Sequence, residues 1–155
     1  MNNNYTIRPA QKSDSRRVWE IRNHPIFRKY SGNSEFIPLK SHEPWFENKY
    51  FSGLNNYCYV LVIEPKVIGY CRLDFNAGKN GYTISIALDP DHHGQGLGYK
   101  LLNKSLNLFN QLANNKDILA EIQKENIPSI KLFQKNNFKI YKEDDKNYYL
   151  KYKTI

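Results

Sequence analysis

Apolar positions along the chain change their period twice, and each change marks an element. YTIRP (5–9) alternates apolar and polar and reads as a strand. Ser13 or Asp14 then caps a helical stretch to about Asn23, with Val18 and Ile21 on one face, and Pro25 stops it. A second helix fits 38–49 and carries Trp45 and Phe46. CYVLVIE (58–64) and KVIGYCRLDF (66–75) are near-continuous apolar runs parted only by the turn at Pro65, which makes them a hairpin. NAGKNG (76–81) has turn chemistry and leads into a third strand, YTISIAL (82–88).

Beyond Asp89-Pro90 the pattern becomes helical. Leu97, Leu101, Leu102, Leu108, Phe109 and Leu112 fall on one face, giving a helix to about Ala113. ILAEI (118–122) is a short strand. Asn126 caps a short helix with Ile127, Ile130 and Phe133 inward, and Pro128 is tolerated in its first turn. FKIYKE (138–143) and NYYLKY (147–152) close the chain as a hairpin around Asp144-Asp145. This order predicts an α/β fold, a mixed and largely antiparallel central sheet of about seven strands flanked by about four helices. With no repeat, low-complexity tract or linker, residues 1–155 read as one domain.

Composition narrows the class. The 155 residues are 40% hydrophobic, 25% charged and 14% aromatic, which suits a globular chain and not a disordered one. No apolar run approaches the ~20 residues of a membrane span, and the polar residues ahead of YTIRP lead to the expectation of no signal peptide. Cys58 and Cys71 lack C-x-x-C spacing and a neighbouring His cluster, so reduced thiols in a cytoplasmic protein without a metal site are expected. The net charge of +8, from 23 Lys+Arg against 15 Asp+Glu, comes without a basic block. It fits a lysine-rich solvated surface or an anionic ligand.

The chemistry concentrates in His93-Gly94-Gln95-Gly96-Leu97-Gly98, which joins a strand to a helix N-terminus. Such a junction directs free N–H groups and the positive end of the helix dipole at an anion. It is no Walker A loop, because Tyr99-Lys100 follows in place of Lys-Ser/Thr, and its glycine spacing differs from the dinucleotide fingerprint. The loop resembles the pyrophosphate-binding motif of the GCN5-related N-acetyltransferases. AEIQKENIPSIKLFQKNNF (120–138), with Asn126, Ser129, Phe133 and Phe138, resembles that family's second signature, and the likeness runs over about 58–152. The resemblance implies acetyl-CoA as acyl donor, its pantetheine arm inserted between splayed strands 82–88 and 118–122. Backbone around Ile86, Ala87 and Leu88, the loop from His93 to Gly98, and Asn126, Ser129 and Phe133 would then meet the cofactor, and Lys100 its 3′-phosphate. Two departures stand out: His93 replaces the usual Arg or Gln, and Phe133 replaces a tyrosine that protonates the leaving thiolate in many members.

The N-terminal half bears on the acceptor. EIRNHPIFRKYS (20–31), PLKSHEPWFENKY (38–50) and IGYCRLDF (68–75) resemble acetyltransferases that act on nucleotide-linked amino sugars in pseudaminic-acid biosynthesis. On that likeness Arg22, Arg28 and Lys29 would meet a diphosphate, Tyr30, Trp45 or Phe46 a uracil or sugar face, and His24 and His42 would belong to the same substrate site. Relatives often carry Glu where this chain has Thr83. No nucleophile-base pair is visible, and direct attack by an amine needs none. Candidates for the amine proton are Asp74, Glu20, His24, His42 and Glu43; for the thiolate they are Tyr141, Tyr148 and Tyr149. A ribosomal or protein N-terminal acetyltransferase is the alternative. A non-catalytic coenzyme A-binding or basic RNA-binding module is a further one, although no RNA-binding motif is present. The expected partner is a small molecule, without nucleic acid or membrane, for a monomer or homodimer.

Overall fold

The computed structural model of the chain describes residues 4–32, 34–112 and 116–153. Its strands are β1 (Thr6–Pro9), β2 (Tyr57–Ile63), β3 (Lys66–Asn76), β4 (Gly81–Leu88), β5 (Asp117–Gln123), β6 (Phe138–Glu143) and β7 (Asn147–Tyr152). The helices are α1 (Ser15–Arg22), α2 (Pro25–Tyr30), α3 (Leu39–Glu47), α4 (Leu97–Asn110) and α5 (Ile127–Lys135). A π-helical turn, Asn48–Ser52, continues α3. The expected seven strands are all present. The helices among the described residues are five, one more than the sequence pattern gave, and the addition is α2. Pro25 does end α1, but it also opens α2 at the first helical position, where a missing N–H costs nothing. The expected limit of α4 at Ala113 falls outside the described residues.

The sheet order is β1-β2-β3-β4-β5-β7-β6. All neighbours are antiparallel except β4 and β5, which run parallel. The terminal hairpin therefore docks through its second strand, leaving β6 at the edge. Alternation gives the sheet two faces. Tyr59, Leu61, Ile68, Cys71, Leu73, Ile84, Ala120, Ile122 and Leu150 point to one face, where Leu101, Leu102 and Phe109 of α4 and Ile130 and Phe133 of α5 cover them. Val60, Val62, Val67, Tyr70 and Ala87 point to the other, beneath Val18 and Ile21 of α1 and Phe46 of α3. Each such fully buried Leu, Ile or Phe contributes roughly 1.5–3 kcal/mol.

Asp14 stands at the N-cap of α1 as expected, but its carboxylate serves elsewhere. It receives Arg8 Nη1 at 2.7 Å and Nη2 at 3.1 Å, and the Gln11 N–H at 2.7 Å, tying β1 to the start of α1.

The feature that positions the site is the divergence of β4 from β5. Their ladder has three steps, Gly81↔Asp117, Tyr82↔Ile118 and Thr83↔Leu119, and then ends. At its closed end a Cβ on Gly81 would lie 2.6 Å from the Asp117 carbonyl oxygen, so only glycine permits that approach. Beyond Thr83 the strands part and leave a wedge.

Candidate active site

The wedge carries unused backbone donors. The Asp89 N–H bonds the Ile68 carbonyl at 2.7 Å, and in an antiparallel ladder bonded positions alternate. Ser85 and Ala87 therefore face β3, while Ile86 and Leu88 direct their N–H groups into the wedge, where no strand receives them. Ala87, by contrast, turns its backbone to β3 and its buried side chain to the α1 side.

The loop at the mouth of the wedge is built to hold an anion. Gly94 (φ +80°) and Gly96 (φ +76°) are left-handed, and nothing lies within 4 Å of a Cβ placed on either. Among the described residues no acceptor takes up the backbone N–H groups of Gly94, Gln95, Gly96, Leu97 or Gly98. They lie in the loop and first turn at the N-terminus of the 14-residue α4. Gly98 differs: it lies inside the first turn, and a Cβ there would meet Leu132 at an ordinary 3.6 Å. Asn126 accepts the Ser129 N–H at 3.4 Å as the cap of α5, and its amide NH₂ keeps no partner among the described residues. These donors fit a pyrophosphate followed by an amide-bearing arm. Lys100 is exposed, with its ammonium 5.7 Å from the Tyr5 ring.

The acceptor candidates separate into two groups. Arg22, His42 and Trp45 come together between α1 and α3. The Arg22 guanidinium lies 4.1 Å from the Trp45 ring centroid and its Nη1 contacts His42 Nδ1 at 3.2 Å. His24, Arg28, Lys29 and Tyr30 lie on or beside α2. There His24 caps the helix, accepting the Ile26 N–H, and Arg28 donates to the Asn23 carbonyl.

Two expectations require correction. His42 is 0% exposed and stacks on Phe46, so no acceptor can reach it. Its Nε2 faces the Ser15 carbonyl at 3.0 Å and must carry the proton, which leaves Nδ1 to accept from Arg22. Burial, reinforced by Arg22, lowers its pKa to about 4, so the ring is neutral. Trp45 offers no free platform for uracil, because Arg22, Arg72 and Lys49 all lie within 6 Å of its ring centroid, at 4.1, 5.3 and 5.5 Å.

Among the proton-transfer candidates, Asp74 sits directly across from Thr83 and returns a carboxylate to that position from the neighbouring strand. Its oxygens are engaged, however: the Tyr50 hydroxyl donates at 2.6 Å, and Lys49 and Arg72 each approach to 3.5 Å. Glu20 pairs with Arg17 at 2.8 Å, and Arg17 in turn holds Asp89 at 2.9 Å and the Val67 carbonyl. Glu43 is exposed on α3. Tyr141 is 49% exposed at the bulge of β6, the outermost strand, and Tyr149 donates to Asp144 at 2.7 Å. Tyr148 is half-buried, opposite Ile122 on β5. Phe133 is 2% exposed and meets Phe138 edge-on at 5.0 Å. Both cysteines are buried free thiols.

Arg72, Lys49 and Tyr50 were not picked out in advance. The available signal was Arg72 and Asp74, two charged residues at alternate positions of an apolar strand and so on one face of it.

Parallel strands that part after three pairs, with a glycine-rich loop opening the following helix, make a wedge with free backbone donors at its mouth. The Acetyltransferase (GNAT) family model matches residues 16–138, and the chain belongs to that family. It is an N-acetyltransferase with acetyl-CoA as cosubstrate. The chain is 29% identical over 142 residues to the L-amino acid N-acyltransferase MnaT of Escherichia coli, covering 86% of this chain and 78% of that protein. It is 25% identical over 134 residues to the acetyltransferase PseH of Campylobacter jejuni, covering 86% and 82%. Its fold superposes on yncA of Salmonella typhimurium, solved with its cofactor acetyl-CoA, with a TM-score of 0.82, 22% identity and coverage of 96% and 93%.

Proposed function

We propose that the acceptor is the primary amine of a small metabolite, a free amino acid in the leading reading, which enters on the α1/α3 face of the sheet. The observation that carries this is the cationic pocket of Arg22, Lys49 and Arg72, held against the single carboxylate of Asp74 beside the wedge. Acetyl-CoA supplies a thioester that an amine attacks directly. The loop from Gly94 to Gly98 holds the pyrophosphate, Asn126 donates to the pantetheine arm, and the Ile86 and Leu88 N–H groups stand where the thioester carbonyl needs donors. The surrounding cations favour the neutral form of an incoming ammonium, which is the nucleophilic form.

A nucleotide-linked amino sugar is the second reading. The likeness to PseH and the basic residues Arg28 and Lys29 favour it. The enclosed Trp45 and buried His42 favour the smaller acceptor, as does the likeness to MnaT. Release of the coenzyme A thiol, followed with L-amino acids, UDP-linked amino sugars and peptides bearing a free N-terminus, tests the assignment. Turnover with an amino acid is expected. Exclusive turnover of peptides would make the chain a protein acetyltransferase instead.

A further inference from the structure

Resting on that reading, we infer that Arg72, backed by Arg22, is the anion-recognition residue of the acceptor site and binds a carboxylate carried a few bonds from the reacting amine. Three features of Arg72 point there. Its side chain is only 17% exposed, yet its Nε is fully enclosed and has no hydrogen-bond partner. The Nε itself is closed to solvent, so an incoming anion is met by the Nη groups of the fork, of which Nη1 is approached by Asp74 only to 3.5 Å. Second, the local charge does not balance. Arg22, Lys49 and Arg72 gather around Trp45, and Asp74 alone opposes them at 3.5 Å from Lys49 and from Arg72. Arg72 also lowers the pKa of Arg22, after the larger effect of burial, so the two guanidiniums repel each other until an anion lies between them.

The third feature is position. Arg72 pairs directly with Ser85, the neighbour of Ile86 on β4. Paired residues share a face, with Cα atoms about 5.5 Å apart at a bonded position. The anion is thus recognised one strand away from the Ile86 N–H, which suits a carboxylate close to the amine. Tyr50 meets both the Arg72 guanidinium and Asp74, and Lys49 pairs with Asp74; together they hold the Arg72 fork in place. A planar fork binds a carboxylate bidentately, whereas a lysine offers only a point charge.

The test compares the best of the L-amino acids with its own carboxamide and with the amine left by its decarboxylation, using the purified chain and acetyl-CoA. Loss of the carboxylate should lower kcat/KM by ~100-fold or more, the usual scale for a charge-assisted pair. In Arg72→Gln the preference for acid over amide should collapse toward ~1 while the KM for acetyl-CoA holds. Arg72→Lys should recover only part of it. If Arg72→Gln does not fold, Arg22→Gln should reduce the same preference in a folded protein. Equal rates for acid, amide and decarboxylated amine would overturn the carboxylate assignment and leave the acetyltransferase standing. So would competition by UDP that Arg28→Ala relieves, which would identify a diphosphate as the anion. Failure of every amine to accept acetyl would overturn both readings.

Discussion

The imidazole of His93 closes the anion loop back onto its own strand: its Nε2–H donates to the Leu88 carbonyl at 2.8 Å. The acceptor is a carbonyl, so the proton must sit on Nε2. The Phe27 ring meets the same imidazole edge-on at 6.1 Å, which links α2 to the loop. His93 thus works as a brace at the position where the sequence resemblance expects Arg or Gln. His93→Ala should raise the KM for acetyl-CoA ~5–10-fold, the scale of one hydrogen bond worth about 1–1.4 kcal/mol. His93→Gln can still donate and should stay near wild type. Steady-state kinetics with acetyl-CoA varied measure both, and equal behaviour of the two variants would remove the brace.

The glycines of the loop are not equivalent. Gly96→Val forces a β-branched residue to φ +76° and puts a side chain where an anion must approach. The KM for acetyl-CoA should rise at least ~10-fold, about 1.4 kcal/mol of binding, in a folded protein. Gly98→Ala fills ordinary van der Waals space against Leu132 and should change that KM less than ~3-fold, under about 0.7 kcal/mol. An unchanged KM in folded Gly96→Val would break the assignment of the loop to the pyrophosphate.

That loop was legible in the sequence because left-handed backbone is a local demand that only glycine meets cheaply. β1 was legible from its alternation, and β2 and β3 as apolar runs bounded by turn residues, because helices cover both faces of the sheet there. The helix α2 was missed for an equally local reason, since Pro25 can end one helix and begin another, and the pattern alone favoured the first role. The remaining misreadings are non-local. Nothing in the terminal hairpin says that its second strand docks on β5, because both strands present enough apolar side chains to pair. His42 and Trp45 look like surface site residues until α1 brings Arg22 against them. Arg72 and Asp74 announced a shared face, but their partners Tyr50 and Trp45 come from segments more than twenty residues away.

The neutral His42 makes stability depend on pH. Burial, with Arg22 beside it, lowers the pKa from 6.5 to about 4 in the folded state. The unfolded chain therefore binds the proton first, and the stabilisation present above pH 6.5 is lost as pH falls toward 4. Between pH 7 and pH 5 the loss should be about 2 kcal/mol. Asp89, whose pKa is lowered from 3.8, acts only at more acid pH. Urea midpoints at the two pH values should differ in the wild type and nearly coincide in His42→Gln. An equal acid shift in both would place the titrating group elsewhere.

The last expectation concerns the thiolate that leaves when the amine is acetylated. The sequence resemblance expects a tyrosine acid at Phe133, whose ring is buried against Phe138 and has no proton to give. Of the tyrosines considered as substitutes, Tyr141 lies at the outer edge of the sheet and Tyr149 is bonded to Asp144. Tyr148 remains, on the strand that pairs with β5 beyond the last β4–β5 step. Its ring packs against the core and carries Lys124 at 5.2 Å. A thiol of ordinary pKa, ~8.5, leaves without much help, so an enzyme of this kind can dispense with a side-chain acid. Tyr148→Phe should accordingly change kcat less than ~10-fold, well short of the ~10²–10⁴ that a needed acid contributes. Phe133→Tyr should remain active, and any gain below ~100-fold would mean that proton transfer does not limit the rate. Phe133→Ala should cost about 3–5 kcal/mol of stability through the cavity it leaves. A drop in kcat beyond ~100-fold in Tyr148→Phe, at unchanged KM for acetyl-CoA, would make Tyr148 the acid and return this enzyme to the commoner mechanism.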